Sequence, residues 1–303
     1  MKQTWRLAVL AFVVGIIAGG IYAATAKAAL VGFSDDAPTF ATYGSDSVHS
    51  GATGARIVVG WNVDPVGPEV THAVEELALT TPIFTLYTID DVDPGEYGEQ
   101  CARYARAWPH AVIAAGNEPN IHIGGFQPVN QAVEQAQTCE RAVHAVDPKR
   151  KVLGPAIAPV NVDDAAMLAG EGSDYATYRT GDNAQWHHYM SRVYDQLDGV
   201  GVAMNIYPYG QDPIVKLRED LQWGKQFGKV WVTETAMLGD YGRRRAAKLA
   251  AKSSRWLVDH GARSVMFHRL AQGPVDPVGW RTYAINATGK RTALYKALRE
   301  EWR

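Results

Sequence analysis

The sequence lacks the marks of several common enzyme classes. A metal site needs His or acidic residues converging at ligand spacing, such as two His one helical turn apart. No such His pair occurs along the 303 residues, so neither a metal nor another cofactor is expected. Gly124-Gly125 has neither the spacing nor the following helix start of a dinucleotide or phosphate loop. No Gly-x-Ser-x-Gly elbow follows an apolar run, which removes the usual Ser-His-Asp hydrolase pattern. Clustered basic surplus is missing too: the formal charge is −2, which argues against a nucleic-acid partner. There is no low-complexity linker and no second compositional zone, so the chain reads as one domain.

Cysteine is scarce, with only Cys101 and Cys139 present. Each falls on the apolar stripe of its own expected helix, with Tyr97, Tyr104 and Trp108 in one and Ala132, Ala136 and Val143 in the other. Buried free thiols are the simplest reading. Export would permit a disulfide between neighbouring helices.

The N-terminus supplies a reason to consider export. Lys2 and Arg6 precede an apolar run over 7–17, followed by Gly19, Gly20 and a small-residue stretch over 23–28. That order is that of a secretory signal peptide, with Ala26-Lys27-Ala28 as the cleavage site before Ala29. Apolar character continues through Ala24, so an uncleaved membrane anchor over 7–24 is the alternative, and membrane association is expected only in that case. Either way the remainder, 29–303, works outside the cytoplasm. Taking the 28 leader residues from 303 leaves 275, enough for a single α/β barrel.

That remainder alternates short apolar runs with longer segments of helical period. Strands are expected at 30–34, 55–61, 83–87, 111–116, 152–156, 199–205, 230–233 and 264–268. The clearest helix spans 243–260, with Ala246, Leu249, Ala250, Ser253, Trp256 and Leu257 on one face and Gly261 at its end. Another spans 129–146 and is stopped by Pro148. The first connection, 35–54, is rich in Ser, Gly and Thr, and a loop with only a short helix is expected there. Strands apolar on both faces call for a parallel sheet covered by helices, and eight such units favour closure into a (β/α)8 barrel.

In such barrels chemistry sits at the C-terminal ends of the strands. Gly116-Asn117-Glu118-Pro119-Asn120 follows strand four, and Thr233-Glu234-Thr235 ends strand seven. Each sets one Glu at the mouth. Glycosidic cleavage needs such a pair, one carboxyl to protonate the leaving oxygen and one carboxylate to attack or shield the anomeric carbon. The two environments must push the pKa values apart.

On these residues the chain resembles the clan A retaining glycoside hydrolases, the (β/α)8 group that includes the family 5 cellulases and family 39 glycosidases. In that clan Asn-Glu-Pro follows strand four and carries the acid/base, and a Glu at the end of strand seven is the nucleophile. Asn117-Glu118-Pro119 and Glu234 match. The resemblance implies that Asn117 bonds the sugar 2-hydroxyl and that Arg56, in Arg56-Ile57-Val58-Val59-Gly60-Trp61, supports the nucleophile. It also implies that Tyr207 bonds the nucleophile, although Asn205 stands where the pattern has His. The closing segment, 283–298, resembles the clan's last strand-loop-helix. His268 stands where a Trp usually floors the sugar site, and Trp280 in the next loop is the candidate to take that duty.

Other strand-end residues are candidates for sugar contact: Asp35, Asp36, Trp61, Asn62, Tyr87, Asp90 and Asn205. Trp186-His187-His188 is a candidate for the cleft edge. The expected activity is an O-glycosyl hydrolase cleaving β-glycosidic bonds of a polysaccharide or oligosaccharide by double displacement, with carbohydrate as its partner. A catalytically silent carbohydrate-binding barrel and a transglycosylase using the same residues are the alternatives.

Overall fold

In a computed structural model the described residues are 29–78, 80–88, 91–121, 127–159, 185–207, 213–236, 243–272 and 283–303. The leader, Asp90 and Trp280 lie outside them. Among the described residues eight strands alternate with eight helices. The strands are β1 (Leu30–Asp36), β2 (Gly54–Gly60), β3 (Thr81–Tyr87), β4 (Val112–Ala115), β5 (Val152–Leu153), β6 (Val202–Asn205), β7 (Val230–Thr235) and β8 (Ser264–His268). The helices are α1 (Ala37–His49), α2 (Pro68–Leu77), α3 (Pro94–Ala107), α4 (Val129–Val146), α5 (Gln185–Tyr194), α6 (Pro213–Gly224), α7 (Arg243–Asp259) and α8 (Ala293–Trp302).

All strand pairs are parallel, in the order β5-β4-β3-β2-β1-β8-β7-β6. The last gap is closed by backbone hydrogen bonds, Gly201 N–H to the Val152 carbonyl (2.9 Å) and Asn205 N–H to the Ile157 carbonyl (2.9 Å). The result is a (β/α)8 barrel with no open sheet edge. Successive side chains alternate between its interior and the helical ring. Phe33, Ala55, Ile57, Phe84, Leu86, Ile113, Val230, Val232, Val265 and Phe267 face outward into the large core under the helices. Ile83, Val112, Ala114, Leu153, Ala203 and Met266 fill the interior, with Leu30 and Trp231 against them. Small residues make that filling possible, since a Cβ on Gly54 would stand 2.8 Å from Met266 Cε.

Two expectations are corrected. The first connection, expected to be a loop with a short helix, is taken up mostly by a 13-residue helix, α1. Its inward face is Ala37, Phe40, Gly44 and Ser47, so helical spacing is present but carried mostly by residues too small to stand out as apolar. Asp36 caps it by accepting from Thr39 N–H (2.8 Å), and Pro38 lies within its first turn. The cysteines are not free thiols: Cys101 and Cys139 form a disulfide joining α3 to α4, with Cα atoms 5.4 Å apart. The helices meet closely there because Gly98, one turn before Cys101, has no side chain. A Cβ at that position would lie 2.6 Å from Thr138 Cγ2.

Candidate active site

Polar side chains concentrate at the C-terminal end of the barrel, and Arg56 is their centre. It projects inward from β2, is fully buried, and donates to four side chains from four other strands or strand ends. Nε bonds Thr85 Oγ1 (2.9 Å), Nη1 bonds Ser34 Oγ (3.0 Å) and Glu234 Oε2 (2.6 Å), and Nη2 bonds Asn117 Oδ1 (2.5 Å). A planar guanidinium with five donors is suited to this task, and an ammonium is not. Burying its charge is tolerable because a carboxylate lies against it.

Glu234 reaches this cation through an irregularity in β7. Val230 and Val232 face the helices and Trp231 faces inward, so strict alternation would turn Glu234 outward. Instead β7 gains a residue relative to both neighbours: Asn205 pairs with Glu234 after Met204 pairs with Val232, and Thr235 pairs with Phe267 after Val232 pairs with Val265. The shift re-aims Glu234 into the barrel. There Oε2 takes the Arg56 bond, Oε1 accepts from the Tyr207 hydroxyl, and His268 Nδ1 lies 3.9 Å from Oε1. Burial pushes the Glu234 carboxyl up, but His268, Arg56 and the two hydrogen bonds outweigh it and leave the pKa below the usual carboxylate range. Burial, and then the charges of Glu234 and Glu118, hold the Tyr207 phenol well above its ordinary value, so it stays a donor.

Glu118 is set by the turn after β4. Gly116 has φ 103°, and Glu118 itself has φ 49°, in the left-handed region that side chains other than Gly rarely enter. The turn is fixed to the segment after β5, with Glu118 N–H donating to the Ala156 carbonyl (2.8 Å). Asn120 adds a two-way clamp, donating to the Ala158 carbonyl (2.8 Å) and accepting from Ala158 N–H (3.0 Å). The Glu118 carboxyl accepts from Asn205 Nδ2 (2.9 Å). Burial and then the neighbouring Glu234 charge push its pKa up to about 7, against the lowering effects of Asn205 and Arg56. Two carboxyls in one pocket thus differ at neutral pH, one held ionised and one able to keep its proton.

The structure thus gathers Arg56, Asn117, Glu118, Asn205, Tyr207, Glu234 and His268. Trp61 and Tyr87 lie beside each other at the rim, Trp61 N–H donating to the Tyr87 carbonyl (2.9 Å), and both are partly exposed. Other candidates are corrected. Asp35 is 2% exposed, and its carboxylate is taken by the backbone N–H groups of Asp36, Leu270 and Ala271, so it ties β1 to the segment after β8 rather than facing a cleft. Asn205 is fully buried, with both amide ends engaged inside the protein. Asp36 is the α1 cap. Trp186 is buried in α5 against His187 and Trp223 on the helical ring. Sequence reading missed Ser34, Thr85, Thr233 and Asn120. For Ser34 and Thr85 a signal existed, a hydroxyl at an inward position of an otherwise apolar strand.

No protein-family model matches the chain, and no curated protein matches it. Solved structures do. A glucosidase from Croceicoccus marinus aligns with a TM-score of 0.64 at 15% identity, over 91% of this chain and 67% of that one. XacCel5A, solved in complex with cellopentaose, aligns at 0.61 and 12% identity over 90% and 99% of the two chains. A GH128 endo-β-1,3-glucanase from Amycolatopsis mediterranei, in complex with laminarihexaose, aligns at 0.57 and 15% identity over 90% and 99%. The chain shares the (β/α)8 barrel fold with these glycoside hydrolases.

Proposed function

We propose that this protein is an exported retaining glycoside hydrolase, with Glu234 as nucleophile and Glu118 as acid/base. The observation that carries the reading is the unequal pair: Glu234, bonded by Arg56 and Tyr207 and held ionised, shares a pocket with Glu118, which keeps a proton up to about pH 7. In the first step a Glu234 oxygen bonds the anomeric carbon, the glycosidic C–O bond breaks, and the departing oxygen takes the Glu118 proton. In the second, the Glu118 carboxylate takes a proton from water, whose oxygen displaces Glu234 with net retention. With its Oδ1 held by Arg56 and Asn205, Asn117 presents its amide N–H to the sugar 2-hydroxyl. Trp61, Tyr87 and His268 line the sugar site in this reading.

The substrate class is a β-linked polysaccharide or oligosaccharide. Because similar folds hold cellopentaose and laminarihexaose, β-glucan oligosaccharides are the first probes. Residues 1–28 act as the export leader and 29–303 as the glycosidase domain, outside the cytoplasm. The Cys101–Cys139 disulfide supports export, since such bonds persist in oxidising compartments. The test is hydrolysis of a panel of β-glucans, xylans, mannans and galactans, with NMR of the first-formed anomer on any substrate cleaved. Release of the β-anomer, abolished in a folded Glu234→Gln variant, is the expected result, and azide should restore bond cleavage to Glu234→Ala with the sugar released as its α-glycosyl azide. Full activity in Glu234→Gln, or release of the α-anomer, would refute the assignment.

A further inference from the structure

The hydrogen bonds around Asn205 run in one direction, and that direction has a chemical consequence. A guanidinium only donates and keeps its protons at any working pH. The Asn117 atom facing Arg56 Nη2 at 2.5 Å must therefore be the carbonyl Oδ1. The Asn205 atom 3.1 Å from that same oxygen must then be the amide Nδ2, a donor. The other N–H of that nitrogen is directed at Glu118 Oε1, 2.9 Å away. At the opposite end, the Thr233 hydroxyl lies 2.9 Å from the Asn205 carbonyl and 3.2 Å from the Met204 carbonyl, and its single proton can serve either, so the amide is oriented from the Asn117 side. Asn205 has no exposed surface, so solvent does not compete for these groups.

We infer that Asn205, its orientation dictated by Arg56 through Asn117, keeps Glu118 Oε1 an acceptor and so biases the proton of Glu118 to Oε2. Asn205 is a positioning residue, acting through Glu118. The inference rests on the proposed acid/base role of Glu118. The carbonyl oxygen of a protonated carboxyl is a stronger acceptor than its hydroxyl oxygen, so the Asn205 N–H on Oε1 favours the tautomer with the proton on Oε2. The oxygen that delivers the proton to the leaving group is thereby chosen before substrate binds, and Oε2 is the atom that must lie within reach of the glycosidic oxygen. A single cation, Arg56, then sets both carboxyls: directly for Glu234 and by relay for Glu118.

The consequence is measurable because the Asn205 N–H also favours the ionised form of Glu118. In Asn205→Ala the alkaline limb of the kcat/KM profile should move to higher pH by roughly one unit, the size of one charge-assisted hydrogen bond. Asn205→Leu, which keeps a side chain of similar size but has no N–H, should move it in the same direction and serves if Asn205→Ala does not fold. The loss in kcat should be larger on unactivated oligosaccharides than on aryl glycosides whose leaving group needs no proton. A neutron map of the deuterated wild-type protein below pH 6 should show deuterium on Oε2. An unmoved alkaline limb in both variants, or deuterium on Oε1, overturns the inference. If instead Glu118→Gln retains full activity on unactivated substrates, the acid/base reading itself has failed.

Discussion

Arg56 holds more of the site together than any other side chain, and its replacement should be costly in two ways. Arg56→Met leaves the Glu234 carboxylate buried without its cation, so urea unfolding at neutral pH should show a loss of about 3–5 kcal/mol. In the same variant kcat/KM should fall by at least about 100-fold, in the range that follows loss of a buried electrostatic support. Arg56→Lys should recover little, because one ammonium cannot reach Thr85, Ser34, Glu234 and Asn117 together. The carboxyl pair also fixes the pH dependence. Activity requires Glu234 ionised and Glu118 protonated, so kcat/KM should rise as Glu234 loses its proton below the usual carboxylate range and fall through about pH 7 as Glu118 loses its own. Stability follows the same shift with the opposite benefit. The folded Glu118 pKa, at about 7, lies above its unfolded value, so its contribution is fully present below the unfolded pKa and is lost as pH rises through about 7. Glu118→Gln removes a buried charge that exists only at higher pH, so its melting temperature should exceed that of the wild type by roughly 2–6 °C at pH 8, the gap closing toward pH 5. An equal gap at both pH values would contradict the shift.

Secondary-structure elements show where the sequence spoke and where it did not. The strand runs were legible because both faces of each strand are buried, which leaves short apolar segments bounded by turn residues. β8 appears at its expected bounds and so does α4, whose end at Val146 precedes Pro148. Helix α1 was obscured because Gly44 and Ser47 stand where larger apolar residues would have declared a buried face. The register shift in β7 was illegible for a different reason: it is a property of pairing with β6 and β8, and Thr233-Glu234-Thr235 alone carries no trace of it. Asp36 illustrates how a strand-end acid can serve an element and not a site. Asp36→Ala should cost about 1 kcal/mol through the lost α1 cap and leave kcat/KM unchanged, which thermal denaturation beside kinetics will check. The pairing of Cys101 with Cys139 was open in the sequence, because two buried stripes on separate helices say nothing about whether those stripes face one another. The bond closes a separation of 38 residues, so the Cys101→Ala, Cys139→Ala double variant should lose about 3–4 kcal/mol on chemical unfolding.

At the scale of the whole molecule, closure of the barrel brings together groups remote in the chain: Arg56 and Glu234 are 178 residues apart. Seven strands or strand ends supply Ser34, Arg56, Thr85, Glu118, Asn205, Glu234 and His268 to one mouth, and β5 anchors the Glu118 turn through its backbone. The barrel was legible from the count of alternating units, and the Glu pair from its position at two strand ends. Substrate choice was not, because it depends on loops between these elements and not on the shared interior. Covalent labelling is the most direct test of the pair. The protein is incubated with activated 2-deoxy-2-fluoro β-glycosides of the sugar it cleaves, digested, and mapped by mass spectrometry. One glycosyl adduct, on Glu234, is expected; an adduct on Glu118 instead would overturn the assignment of the pair.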